Sequence, residues 1–137
     1  MDHVPPQKRS EIMRAVHSRD TKPELAVGRL IRRLGFRPQT HATDLPGHPD
    51  FVFRSRKKAI FVHGCFWHRH PRCKYATTPK TRTDFWVSKF DANKARDRRV
   101  LRELRGAGWS GLVIWQCQLK KPEQLELKLN VFLHEKD

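Results

Sequence analysis

The sequence predicts an α/β domain in which a mixed central sheet is flanked by helices, and three patterns carry that prediction. Apolar residues at helical spacing follow start signals near residues 21, 84 and 122. Two short apolar runs, Phe51-Val52-Phe53 and Ala59 to Val62, stand at hairpin spacing. Leu112-Val113-Ile114-Trp115 is a continuous apolar run, as expected of a buried strand reached by a helical crossover. At 137 residues the chain is long enough for one domain with a real core.

The elements follow in order. Residues 1–20 read as an arm: between Gln7 and Arg19, Ile12, Met13 and Val16 stand at helical spacing among basic residues, a thin apolar face that would order against a partner. Residues 21–137 form the domain proper. Thr21-Lys22-Pro23-Glu24 has the form of a capping box with Pro in the first turn. Leu25, Leu30, Ile31 and Leu34 then give an amphipathic helix that Gly35 ends. A strand is expected over Phe36 to Thr40. Leu45-Pro46-Gly47-His48-Pro49 is a turn-rich loop delivering Asp50 to the head of the next strand. Ser55-Arg56-Lys57 turns the chain back into Ala59 to Val62. After a polar, basic stretch from Thr77 to Thr83, a helix is expected from Asp84 to Arg105, closed by Gly106 and Gly108. Pro122 opens a last helix carrying Leu125, Leu129, Phe132 and Leu133.

Lys and Arg total 29 against 14 Asp and Glu, a formal charge of +15. An excess of that size on a small domain points to a polyanion, nucleic acid above all. Four Trp and eight Phe among the charges argue against a disordered basic tail. No run resembles a signal peptide, and none approaches the about 20 apolar residues that cross a bilayer. The expectation is a soluble, intracellular protein that does not engage membranes. Three cysteines cannot all pair within one chain, and metal ligation explains them better than oxidation.

The densest chemistry lies in Ile60 to Cys73, where a β-like run empties into histidines, cysteines and an adjacent Phe66-Trp67 pair. Cys65, His70 and Cys73 are spaced Cys-x4-His-x2-Cys, and Cys117 follows the apolar run at 112–115. Three thiolates and an imidazole would complete a closed tetrahedral zinc site stapling the loop to a neighbouring strand; a buried core thiol is the plainer reading of Cys117. Asp50, at a strand head beside a His-rich strand end, suits a Mg²⁺ ligand; in Gly-His-Pro-Asp it can equally be a turn residue. His63 and His68 fall outside the zinc set, and a histidine near a bound phosphate can act as general base or acid. Asp97 lies on the same helical stripe as Phe90, Leu101 and Leu104, where a carboxylate is costly unless paired. His63 or His68 would satisfy it; Arg96 and Arg98 point about 100° away on the helical wheel. Phe66-Trp67 and Phe85-Trp86 are aromatic pairs in basic surroundings, suited to wedge between bases with one member of each packing inward. Lys74, Lys80, Arg82, Arg96, Arg98, Arg99 and Arg102 would contact phosphates, which position a duplex without reading it.

Taken together, several motifs resemble the very-short-patch repair (Vsr) DNA mismatch endonucleases. They are Pro46-Gly47-x-Pro49-Asp50-Phe51, His63-Gly64-Cys65-Phe66-Trp67-His68, Thr81-Arg82-Thr83-x-Phe85-Trp86, Asn93-x-x-Arg96-Asp97-Arg98 and Trp115-x-Cys117. The resemblance runs from Met13-Arg14 to Cys117. It implies a type II restriction endonuclease-like fold and a bacterial cytoplasmic, nucleoid-associated monomer. The implied activity is a nick 5′ to the T of a T:G mismatch, the lesion left by deamination of 5-methylcytosine, with mismatched double-stranded DNA and mismatch-repair proteins as partners. By the same resemblance Asp50 and the backbone carbonyl of Val62 would ligate catalytic Mg²⁺, with Glu24 reaching it through water. His63, His68 and Asp97 would serve at the scissile phosphate, and Cys65, His70, Cys73 and Cys117 would hold structural Zn²⁺. Met13, Phe66, Trp67 and Trp86 would intercalate at the mismatch. Val62 departs from the Thr of a known member, a change that a backbone ligand tolerates. Phe61-x-His63 stands where the wider nuclease superfamily has Glu-x-Lys. Two other readings compete: a nicking enzyme of changed site specificity, and a zinc-stapled module that binds distorted DNA without cutting. Asp97 and the spare histidines count against the module, since binding alone does not need them.

Overall fold

The computed structural model describes residues 21–135; the arm expected before it, with Met13, lies outside the described residues. Helix α1 (Lys22–Arg33) starts where Thr21 Oγ1 accepts the amide of Glu24 at 3.4 Å and Pro23 occupies the first turn. It ends on Gly35 at φ +94°, with Phe36 N–H donating to the carbonyl of Ile31 and Gly35 N–H to that of Arg32. That is the Schellman arrangement, which a residue with a Cβ adopts poorly.

Strand β1 is shorter than the sequence suggested. Phe36 leaves the helix as part of its cap, its ring edge-on to Phe53, and only Gln39–Thr40 pairs. Strands β2 (Phe51–Phe53) and β3 (Lys58–His63) form the expected hairpin around a 3-10 turn at Arg54–Arg56, with Phe51 opposite Ile60. Helix α2 (Thr83–Gly106) crosses over to β4 (Ser110–Trp115), which runs parallel to β3 with Val62 opposite Ile114. A 3-10 turn at Gln116–Lys120 leads into α3 (Pro122–His134). The sheet order is β1-β2-β3-β4.

The sheet is covered on both faces. On one, Val27, Leu30 and Ile31 of α1 and Leu125, Leu129 and Leu133 of α3 pack with Phe51, Phe53, Ile60 and Ile114. On the other, Leu104, Leu101 and Val100 of α2 pack with Ala59, Phe61 and Val113. Alternation along β3 therefore feeds both cores, which explains its nearly continuous apolar sequence. Leu25, expected on the inner stripe of α1, is 47% exposed, and Val27 is buried in its place.

Lys58 is a buried cation that the packing satisfies. Its Nζ donates to the carbonyls of Phe132 and Glu135, and Arg56 Nη1 donates to that of Leu133 at 2.9 Å. Two positive groups thus close the C-terminal end of α3, where unpaired carbonyls and the helix dipole favour them.

Because β2 runs antiparallel to β3 and β4 parallel to it, the head of β2 and the tails of β3 and β4 meet at one end of the sheet. Asp50, His63 and Trp115 all lie there. Strand tails of this kind are where open α/β sheets place their sites.

Candidate active site

A cleft of about 990 Å³ opens at that end, with Asp50, Val62 and His63 at its floor. Helix α1 contributes Glu24 on one side, and α2 contributes Lys89, Asn93, Arg96 and Asp97 on the other. The loop after β3 supplies Phe66, Trp67 and His68 at the rim.

Asp50 is held by the hairpin itself. Its amide donates to the carbonyl of Ile60 at 3.0 Å, and its Oδ2 accepts the amide of Val62 at 2.7 Å. Burial raises its pKa to about 7, opposed by the Val62 amide and helped by the neighbouring Glu24 carboxyl. Glu24 is buried at 4% exposure, and its Oε2 lies 3.6 Å from His41 Nε2. The Glu24 amide therefore serves the cap of α1 while its carboxyl faces the cleft. Two carboxyls this close are hard to ionise together, and a divalent cation between them relieves the repulsion. The donor set, oxygen only and partly buried, fits a hard cation.

Across the cleft, Asp97 Oδ2 lies 2.7 Å from His68 Nδ1. Of the two histidines that could meet Asp97, this bond engages His68. The ring of His63 stacks on that of His68 at 3.7 Å and 9°. Burial, then the nearby His68, lowers His63 to about 3, so its ring is neutral. Its Nδ1 is buried and meets no hydrogen-bond partner among the described residues. The donor atoms of His63, His68 and Asp97 lie within 4.8 Å of one another, close enough to hold a metal. Parallel rings do not converge their lone pairs on one ion, however, and Asp97 is already bonded to His68. The set is better built to hold and move a proton.

The three cysteines and His70 converge beside this cleft. The Sγ atoms of Cys65, Cys73 and Cys117 and one nitrogen of His70 all lie within 4.8 Å of one another and could hold a metal ion. His70 Nδ1 is 3.7 Å from Cys65 Sγ and 3.4 Å from Cys117 Sγ. A tetrahedral ion with S and N ligands spaces them about 3.5–3.8 Å apart, so the distances fit. Burial, with the thiols of Cys117 and Cys73 as smaller contributors, pushes Cys65 up to about 12. A bound cation reverses that preference outright. His70 stacks on Trp115 at 4.3 Å, and burial lowers its pKa, which favours the neutral ring that a ligand requires.

Phe66, Trp67, Trp86 and Phe90 form one aromatic cluster between the loop and α2. Phe66 is edge-on to Phe90 at 5.2 Å, Trp67 is 5.9 Å from Trp86, and Phe90 is buried. Phe66, Trp67 and Trp86 are half-buried, and Phe85 is 47% exposed. Of the basic residues expected at phosphates, Lys74, Lys80, Arg82, Arg96, Arg98, Arg99 and Arg102 are all exposed, and Arg96 borders the cleft.

Three supporting contacts could not be read from the sequence. Arg69 sits inside the His/Cys loop, and its guanidinium bonds the carbonyls of Phe66, Ala76 and Thr77 and the Thr78 hydroxyl, over the Phe90 ring at 4.0 Å. Asn93 Nδ2 donates to the Trp67 carbonyl at 3.2 Å, tying the rim to α2. His41 meets Glu24 from a turn 17 residues further on, a contact only folding creates. None of these pairs has a local pattern from which it could be read.

A family model described as "DNA mismatch endonuclease Vsr" matches residues 1–74. The chain is 45% identical over 132 residues to the type II nicking enzyme V.XorIIP of Xanthomonas oryzae pv. oryzae, covering 96% of each. It is 42% identical over 117 residues to the DNA mismatch endonuclease Vsr of Escherichia coli K12, covering 85% of this chain and 74% of that protein. The catalytic domain of the homing endonuclease I-Bth0305I superposes with a TM-score of 0.57 at 21% identity, over 82% of this chain and 94% of that one. At that identity the likeness speaks for the fold alone, a mixed sheet flanked by helices. A nuclease fold with its acids, histidines and basic rim at one sheet end, and relatives this similar over nearly the whole chain, lead to one conclusion: the chain belongs to the Vsr DNA mismatch endonuclease family and is a DNA endonuclease.

Proposed function

We propose that the protein nicks one strand of duplex DNA 5′ to the T of a T:G mismatch, using Mg²⁺. The observation that carries this reading is the shared cleft: Asp50 and Glu24 face the bonded pair His68–Asp97, and Phe66 and Trp67 stand at the rim.

Asp50, the Val62 carbonyl and, through water, Glu24 would hold the cation. Bound there, it would supply charge neutralisation at the phosphate and Lewis acidity. The chain's own residues do the rest. With Nδ1 bonded to Asp97, His68 keeps Nε2 for proton exchange, and Asp97 stabilises the imidazolium that forms. As water adds to phosphorus its proton passes to His68. The bond to the 3′ oxygen breaks, that oxygen takes a proton from solvent, and the T keeps a 5′-phosphate. His63, stacked on His68, fixes the plane of the ring. The family resemblance favours Phe66, Trp67 and Trp86 as the wedge beside the mismatch, with Met13 entering from the opposite groove. Cys65, His70, Cys73 and Cys117 would hold Zn²⁺, the usual ion for closed Cys/His sites, and so fix the loop bearing His68 and the wedge.

Duplexes of one sequence carrying T:G, U:G or paired C:G, with and without Mg²⁺, test the reading. The T:G duplex should be nicked on the T strand, only with Mg²⁺, while paired C:G stays whole. Asp50→Ala should lower the rate about a thousandfold, the several kcal/mol a Lewis acid supplies, while leaving the fold intact. Binding without cleavage on every duplex would identify a DNA-binding module instead. Cutting of the paired duplex would identify a nicking enzyme of different specificity.

A further inference from the structure

We propose that His41 is a positioning residue of the cleft, whose imidazole holds the Glu24 carboxylate beside Asp50 so that both acids serve one divalent cation. The inference rests on the reading of Asp50 and Glu24 as the cation-binding acids.

Three observations meet at His41. Its Nε2 is 3.6 Å from Glu24 Oε2, and the two side chains are only 21% and 5% exposed, so the pair is largely withdrawn from solvent. Glu24 lies against Asp50 and carries like charge when ionised, so a group must fix it there against that repulsion. His41 itself sits at φ +58°, a left-handed conformation uncommon for a residue with a Cβ. That turn directly follows β1, and it places the imidazole on the wall of the cleft rather than along the strand. Strained backbone at a site is commonly the means by which a side chain is aimed.

With its Nε2 turned to Glu24 Oε2, His41 is suited to the outer sphere rather than to ligation. A neutral imidazole can present one N–H to Glu24, and an outer-sphere donor of this kind orients an acid and sharpens its affinity for the ion.

The test is Mn²⁺ binding to the full zinc-loaded chain, followed by electron paramagnetic resonance, with melting temperature as the check on folding. Asp50→Ala should abolish binding; binding unchanged in that variant would refute the reading of the cleft acids. His41→Ala should weaken binding about tenfold, the lower end of what loss of an outer-sphere partner costs. His41→Gln, whose amide can still donate to Glu24, should retain most of the affinity. In a Glu24→Gln background, His41→Ala should have no further effect, because the two act through one contact. Saturating Mn²⁺ should restore the kcat of His41→Ala. His41→Ala binding like the parent, while Asp50→Ala does not bind, would overturn the proposal. So would an undiminished His41→Ala effect without Glu24, since a merely structural role would survive that change. If His41→Ala melts low, the Gln variant and the double variant decide the question alone.

Discussion

Asp97 occupies a position where an apolar side chain would be expected, on the face of α2 that also carries Phe90 and Leu104. The cost of burying its charge is met by a 2.7 Å bond to His68, and that bond in turn fixes which imidazole nitrogen remains for chemistry. Asp97→Asn keeps the shape but loses the charge that supports an imidazolium. It should lower kcat by roughly 10²–10⁴-fold, the range for general acid–base catalysis, with KM for DNA little changed. His68→Ala should cost about as much, and the double variant little more, because the two act as a unit. Single-turnover nicking with saturating enzyme measures all three. That Asp97 needed a partner was legible from the helical wheel. Which histidine it found was not, because His63 and His68 differ only in how the loop folds back over β3.

At the scale of elements, two devices fix the site, and each can be broken alone. The first is the loop before β2. Gly47 sits at φ +76°, and a Cβ there would lie 2.5 Å from Val100 and 3.1 Å from Phe61. This close approach locks the Asp50 loop onto α2. Gly47→Ala should therefore destabilise the protein by about 1–3 kcal/mol through overpacking and backbone strain, seen as a lower urea midpoint, and should reduce nicking as well. The second device is the Cys/His cluster. Cys117 follows β4 while Cys65, His70 and Cys73 lie in the loop after β3, so one ion bound there would join two segments of the fold. Cys117→Ser should lose stoichiometric zinc by metal analysis and open the loop to protease. The sheet itself, built on Ile60 and Ile114, should keep its far-ultraviolet signature. The hairpin, the crossover and the last helix were legible from periodicity. The expected strand at 36–40 shrank to two residues because Phe36 is consumed by the helix cap and the Phe53 contact, a tertiary demand that local propensity does not contain.

For the whole molecule, a formal charge of +15 dominates encounter with DNA. Arg98 and Arg99 are exposed on α2 and do not line the cleft, so they are placed to meet phosphate rather than base. Replacing both by Gln should reduce the slope of log affinity against log salt by about 2, roughly one per phosphate contact, while the preference for T:G over paired duplex stays the same. Fluorescence anisotropy across a salt series reads the slope, and competition between duplexes reads the preference. No helix among the described residues is long and apolar enough to cross a membrane.

The sequence by itself determined the elements, the α/β class and the kinds of chemistry present, because periodicity, caps and ligand spacing are local properties of the chain. It also identified the Cys/His set, since thiols and imidazoles in one loop need a common purpose. Only the tertiary structure decided that His68 rather than His63 meets Asp97, and that His41 stands behind Glu24. It also made Arg69 a brace for the loop, bonded to the carbonyls of Ala76 and Thr77. Each of those facts depends on where a strand end or turn falls relative to another segment. Packing on the two faces of a sheet sets that relation, and no local pattern along the chain records it.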